Sequence, residues 1–256
     1  MTTTRSPMSR WKAASIHLLC SVALAVLAGA LVFGLWFPPP YFHAAGGDRL
    51  VLILIGVDLV VGPLLTLIIF RSGKRGLRFD LACIGLVQVA ALVYGLSIIT
   101  ASRPAFVVAT IRRFIVVPAN ALDENDLAQA PTPDLRRLPW LGPKLISAQV
   151  PEDAQARNEI MQATLAGKDI DRLPKYYAPI EAIEEQLKRR AKPLTRLIDQ
   201  NPEANRPVVE AGLKKFGRAL ERTGYMPLVT ARGELVMLVD LDTGKTVGPL
   251  ELKSVD

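Results

Sequence analysis

Three apolar runs fill the first hundred residues, at roughly Ala13–Phe37, Leu50–Phe70 and Leu81–Thr100. Each reaches the roughly 20 residues that a helix rising about 1.5 Å per residue needs to cross a hydrocarbon core of about 30 Å. The pattern therefore predicts three transmembrane helices over 13–37, 50–70 and 81–100. They follow a short amino-terminal segment, 1–12, and are joined by the connections 38–49 and 71–80. Trp36, Phe37, Tyr41 and Phe42 cluster at one end of the first run and Trp11 at the other, as interfacial aromatics do. Pro38-Pro39-Pro40 stops that helix, because proline lacks the amide donor and clashes with the preceding turn.

After Thr100 the pattern changes to mixed α and β. Phe106–Thr110 and Phe114–Val117 are β-rich and read as a hairpin turned at Ile111-Arg112-Arg113, with Lys144–Val150 a further strand. Asp153–Leu165 opens on acids and keeps Ala156, Ile160 and Ala163 on one face, which predicts a helix. Ile180, Ile183, Leu187 and Leu194 trace a second stripe, interrupted at Pro193. Val209, Leu213, Phe216 and Leu220 trace a third, after Pro207 and before Gly224. Pro227–Thr230, Glu234–Leu241 and Lys245–Val247 read as a closing meander. The fold class is thus membrane α, a three-helix transmembrane bundle, followed by an exported α+β domain over 101–256.

Charge orients the bundle. Seven cations flank the inner ends: Arg5, Arg10 and Lys12, then Arg71, Lys74, Arg75 and Arg78. The connection 38–49 carries only Arg49, beside Asp48. Short loops rich in Lys and Arg stay in the cytoplasm. The amino terminus is then cytoplasmic, and an odd number of spans places the domain after Thr100 outside. Ala28-Gly29-Ala30 has the small residues of a signal cleavage site. The apolar stretch runs on to Phe37, however, past the ~7–15 residues of a signal core, so an uncleaved anchor is expected.

The net charge of +7 does not indicate nucleic acid. Residues 1–100 hold 8 Lys/Arg against 3 acids and residues 101–256 hold 23 against 21, so the excess is mostly the topology signal. The run Lys188-Arg189-Arg190 follows Glu181, Glu184 and Glu185 and reads as a solvated helix face with i,i+4 pairs. Both cysteines, Cys20 and Cys83, and both histidines, His17 and His43, lie in the membrane half. The exported domain therefore has no disulfide, no zinc ligand set and no histidine base for a nucleophile. Asp240-Leu241-Asp242 and Asp169–Asp171 read as turns, and no phosphate or dinucleotide loop is present. No enzymatic activity, cofactor or metal is expected, and residues 103–256 are expected to fold as a soluble unit.

The informative polar residues are in the spans. A carboxylate such as Asp58 costs several kcal/mol there, so it is protonated, paired or facing a partner. Counted along regular helices, Asp58 lies level with Tyr94, and a hydrogen bond between them is one reading. The other is a partner helix, approached closely at Gly56 and Gly62, with Pro63 bending the span. Gln88 and Asp80 are weaker versions of the same case, and His17 reads as interfacial.

Trp11-Lys12, the Gly56–Leu67 segment, Phe79-Asp80-Leu81, Tyr94-Gly95-Leu96, Arg103-Pro104, Gly142-Pro143-Lys144-Leu145, Arg157-Asn158-Glu159 and Tyr176-Tyr177-Ala178-Pro179 resemble one family. It is the TfpX/TfpZ type IV pilin accessory proteins, also called fimbrial assembly proteins. The resemblance runs from about Met8 to about Tyr177, and Met8 matches the usual family start, so Met1–Pro7 reads as an upstream start-site extension. It implies a multi-pass protein of a bacterial inner membrane, in contact with membrane lipid, that stabilises a cognate type IV major pilin as a chaperone and promotes pilus assembly. The alternative is a membrane sensor or transport accessory subunit with a periplasmic ligand-binding domain.

Overall fold

The computed structural model describes residues 8–44, 51 and 56–253. They fall into two compact units, one drawn from 1–35 and 47–100, the other from 36–46 and 101–256.

In the first unit, helix α1 spans Arg10–Leu31, with Ser9 accepting from the Lys12 amide at its start. A π turn, Val32–Trp36, continues it up to the proline run. A second π turn, Val57–Val61, leads into helix α2, Gly62–Ile69. Pro63 accounts for that widening. Its ring has no amide to give and crowds the carbonyl one turn earlier, which opens the turn before it. Helix α3 spans Leu77–Ser102.

Where the sequence pattern calls for three spans, two helices among the described residues are long and apolar enough to cross a membrane, Arg10–Trp36 with 27 residues and Leu77–Ser102 with 26. The middle run is described as helix at 51 and over 56–69, and residues 50 and 52–55 of it lie outside the described residues. Asp80 does not face a neighbouring span. It stands in the first turn of α3 and pairs with Lys74 of the preceding loop at 2.6 Å.

The second unit is built on an eight-stranded mixed sheet. Its strands are β1 Pro104–Ala109, β2 Phe114–Pro118, β3 Lys144–Ala148, β4 Tyr177–Ala178, β5 Lys192–Pro193, β6 Thr223–Thr230, β7 Gly233–Asp240 and β8 Thr246–Leu250. The order is β4-β3-β1-β2-β6-β7-β8, with β5 on β6. The hairpin of β1 and β2 is present, closed where the Thr110 amide donates to Arg113 O at 2.9 Å. It lies in the middle of the sheet, parallel to β3 on one side and to β6 on the other.

Alternation along the strands buries both faces. Val107, Phe114, Met226, Leu228 and Met237 point one way, into a cluster with Ile183 and Leu187. Phe106, Val108 and Ile146 are buried with Ile160 and Tyr177, and Tyr225, Val236 and Leu238 with Leu197, Val209 and Leu213. These clusters draw on the helices Ala154–Leu165, Glu184–Arg190, Thr195–Gln200 and Pro202–Phe216.

Three local expectations change. The helix carrying Val209 and Leu213 starts at Pro202, capped by Asn201, and runs through Pro207, which forgoes one amide near the helix start. Gly224 lies inside β6 instead of breaking the chain before it, because a Cβ there would meet Lys192 O at 2.9 Å and Leu241 Cδ2 at 2.7 Å. Lys188, Arg189 and Arg190 form the last turn of their helix opposite Glu184 and Glu185 in the first, which suits the helix dipole. No ion pair joins them among the described residues.

The segment read as a connecting loop contributes to the core of this unit. Phe37 is fully buried and meets the Phe42 ring edge-on at 6.1 Å, and Tyr41 packs into the cluster of Val107, Phe114 and Met237. Burial pushes the Tyr41 phenol up to about 12.

Candidate functional site

The polar residues of the first unit converge. Asp58, on the π turn before α2, is 8 % exposed. Its polar neighbours are Gln88 of α3 and His17 of α1. The His17 ring bridges the other two helices, with Nδ1 2.6 Å from Thr66 Oγ1 of α2 and Nε2 2.6 Å from Gln88 Oε1. Gln88 Nε2 in turn donates to the backbone oxygen of Asp58 at 3.4 Å.

An amide carbonyl only accepts, so with Gln88 placed this way Nε2 of His17 carries the proton and Nδ1 accepts from the Thr66 hydroxyl. The chain of donors then runs Thr66, His17, Gln88, and ends on Asp58. One acceptor is left over. Asp58 Oδ1 is buried without a hydrogen-bond partner among the described residues. Beside it lies a cavity of about 190 Å³ lined by His17, Asp58 and Gln88 together with Cys20, Ser21, Leu24, Gly85, Val89 and Leu92.

Of the residues singled out by sequence, Asp58, Gly62 and Gln88 come together. Gly62 is a close-approach position in a direct sense, since a Cβ there would fall 2.0 Å from Gln88 Nε2. Gly56 is exposed with nothing within 4 Å of its Cβ position, and Pro63 acts by shaping the π turn. Tyr94 is 69 % exposed on the outer side of α3 and does not reach Asp58. Counting from Leu81 misjudged its level, because α3 starts four residues earlier, at Leu77, and this brings Gln88 rather than Tyr94 beside Asp58. Arg71, Lys74, Arg75 and Arg78 are exposed in or next to the α2–α3 connection. His17 is the residue that sequence reading missed. Its spacing along α1 from the interfacial Trp11 is nearly two turns, which already carries it below the interface.

Among the described residues, the α/β unit holds no comparable constellation. Several of its acids serve turns and ion pairs. Asp240 accepts the amides of Asp242 and Thr243 and pairs with Arg218 at 2.7 Å, while Asp169 caps Ile170. Among the described residues, no three His, Cys, Asp or Glu side chains are grouped to hold a metal ion. A concavity of about 530 Å³ lies beside the β1–β2 turn, where Arg113 faces Asp169 at 3.8 Å. The family-like residues of this unit brace β3 and β4. Tyr177 packs edge-on to Phe106 at 5.5 Å, Ser147 donates to Pro179 O at 2.8 Å, and Lys175 joins Glu159 at 2.8 Å. Arg103 donates to Pro139 O at 3.3 Å and stacks over Trp140, which is exposed together with Leu141.

The family model described as fimbrial assembly protein FimB matches residues 5–46. The chain is 30% identical over 232 residues to the fimbrial assembly protein, serogroup I, of Dichelobacter nodosus, covering 90% of each chain. It is 28% identical to the serogroup E1 protein of the same organism over the same shares. It is 32% identical over 121 residues to the protein of serogroups C1 and C2, covering 46% of this chain and 92% of the relative. No solved structure matches it. With its polar helix network and its braced mixed sheet, the chain belongs to the family of fimbrial assembly proteins.

Proposed function

We propose that this protein is a non-catalytic, multi-pass inner-membrane accessory factor that stabilises a cognate type IV major pilin and promotes its assembly into pili. The observation that carries the reading is that the helical unit is inside out. Its apolar side chains face outward, with Leu19, Val26, Leu86 and Val87 each more than 60 % exposed. His17, Asp58, Thr66 and Gln88 face inward. Such an arrangement is stable with lipid around it and unstable in water. In this reading 13–37, 50–70 and 81–100 are the spans, residues 1–12 and the basic loop 71–80 are cytoplasmic, and the α/β domain is periplasmic. A waiting pilin with one membrane helix and a globular head meets both halves.

Orientation is tested with a reporter active only outside the cytoplasm. It is expected to be active when fused after Ser102 or at Asp256 and silent at Gly73, and the reverse pattern overturns the topology. Partnership is tested with photo-crosslinkers at Leu59 or Val60, the latter 61 % exposed. They are expected to capture a single-span pilus subunit, and capture of unrelated proteins alone contradicts the assignment.

A further inference from the structure

We infer that the cavity beside Asp58 is a socket for one hydrogen-bond-donating side chain, an amine, amide or hydroxyl, carried on the membrane helix of the pilus subunit; this rests on the pilus-assembly reading above. The network's own hydrogen bonds define what is missing. Thr66, His17 and Gln88 each have a partner for the group they donate, and the unmatched atom is an acceptor, Asp58 Oδ1. A buried acceptor left empty is costly in a low-dielectric interior, so an incoming donor gains more there than at a surface.

The backbone of a membrane helix is already satisfied within itself, so the donor has to come from a side chain or a free amino group. At about 190 Å³ the cavity falls below the ~300–1,000 Å³ of small-molecule pockets. Leu24, Val89 and Leu92 make much of the wall apolar and Asp58 is its one carboxylate, so the lining is poor in the oxygen ligands that a hard cation needs. The mouth is also on the surface. Cys20, Leu24 and Val89 are exposed at its rim, on α1 and α3, so the socket opens on that face.

The test uses the full-length protein in cells, with photo-crosslinkers at Leu24 or Val89 and the captured species identified by mass. The expected product is the single-span pilus subunit. Asp58→Leu is expected to lower capture about tenfold, the change for loss of one buried hydrogen bond, and Asp58→Asn, which keeps a neutral acceptor oxygen, to lower it less. Gly85→Leu supplies an independent arm. A Cβ at Gly85 meets nothing within 4 Å, so the larger side chain grows into the cavity without disturbing the helices, and capture is expected to fall as far at unchanged protein level. Capture unaffected by Asp58→Leu and by Gly85→Leu overturns the socket, as does capture of lipid alone. Capture from Val60 but from neither rim position overturns the socket and leaves the pilus reading standing. No pilus subunit from any position overturns both.

Discussion

Gly62→Leu is expected to cut the amount of folded protein in the membrane severely, whereas Gly56→Leu is expected to leave it nearly unchanged. Both glycines lie in the same run, six residues apart, and either is small enough to let a neighbouring helix approach. Their surroundings differ. A Cβ at Gly62 would overlap Gln88 Nε2 at 2.0 Å and Cδ at 2.6 Å, so the amide has to leave. Its departure breaks the bond to His17 and the bond to Asp58 O, and unlinks α3 from α1. Overpacking costs about 1–3 kcal/mol and each interhelical hydrogen bond in a membrane about 0.6 kcal/mol, enough together to unfold a marginal bundle. Gly56 has open space, and there a larger apolar side chain meets lipid. Immunoblots of washed membranes and thermal melting in detergent check both variants. Equal loss in the two, or none in Gly62→Leu, contradicts the packing described.

The second large effect concerns the α/β unit cut free of the helices. A fragment of residues 101–256 is expected to melt well below the same fragment joined by a flexible linker to residues 36–46, with neither affected by chelator or reductant. The reason is Tyr41, which packs against Val107, Phe114 and Met237 from outside the fragment. Removing a buried aromatic side chain costs about 3–5 kcal/mol. Tyr41→Ala in the linked fragment is expected to reproduce the loss.

Alkali gives a further check. A phenol raised in the folded state from 10.0 to about 12 stays protonated while the unfolded chain ionises. Its contribution to stability is complete below pH 10 and disappears as pH rises toward 12. Tyr41→Phe is expected to remove that part of the alkaline destabilisation. An identical melting curve for both fragments between pH 7 and 12 contradicts a role for the segment.

What the pattern of residues disclosed, and what it hid, follows the range of the interactions. The β1–β2 hairpin, the helix capped by Asp153 and the turn at Asp240–Gly244 are set by neighbours a few residues apart, and all were legible. The parallel pairing of β2 with β6 joins Phe114 to Leu228, and nothing in either strand names the other. Gly224 and Pro207 read as breaks because each weakens its element locally. Tertiary crowding at Gly224 and the Asn201 cap ahead of Pro207 override that signal.

At the candidate site, Asp58 and Gln88 stood out because polar residues in apolar runs are rare. Their pairing did not, since it depends on α3 beginning at Leu77, four residues ahead of the apolar run, which sets the level of Gln88 against Asp58. His17 was hidden for a similar reason. Its partners Thr66 and Gln88 lie 49 and 71 residues away.

The turnover of the cognate major pilin, followed by pulse–chase in a strain lacking this protein, tests the central claim most directly. If the protein holds pilin in the membrane before assembly, newly made pilin is degraded several-fold faster without it and surface pili are lost. The unaltered protein restores both, and Asp58→Leu restores neither. Pilin that persists at its normal rate and reaches the surface in normal amount, with the protein absent, contradicts the account.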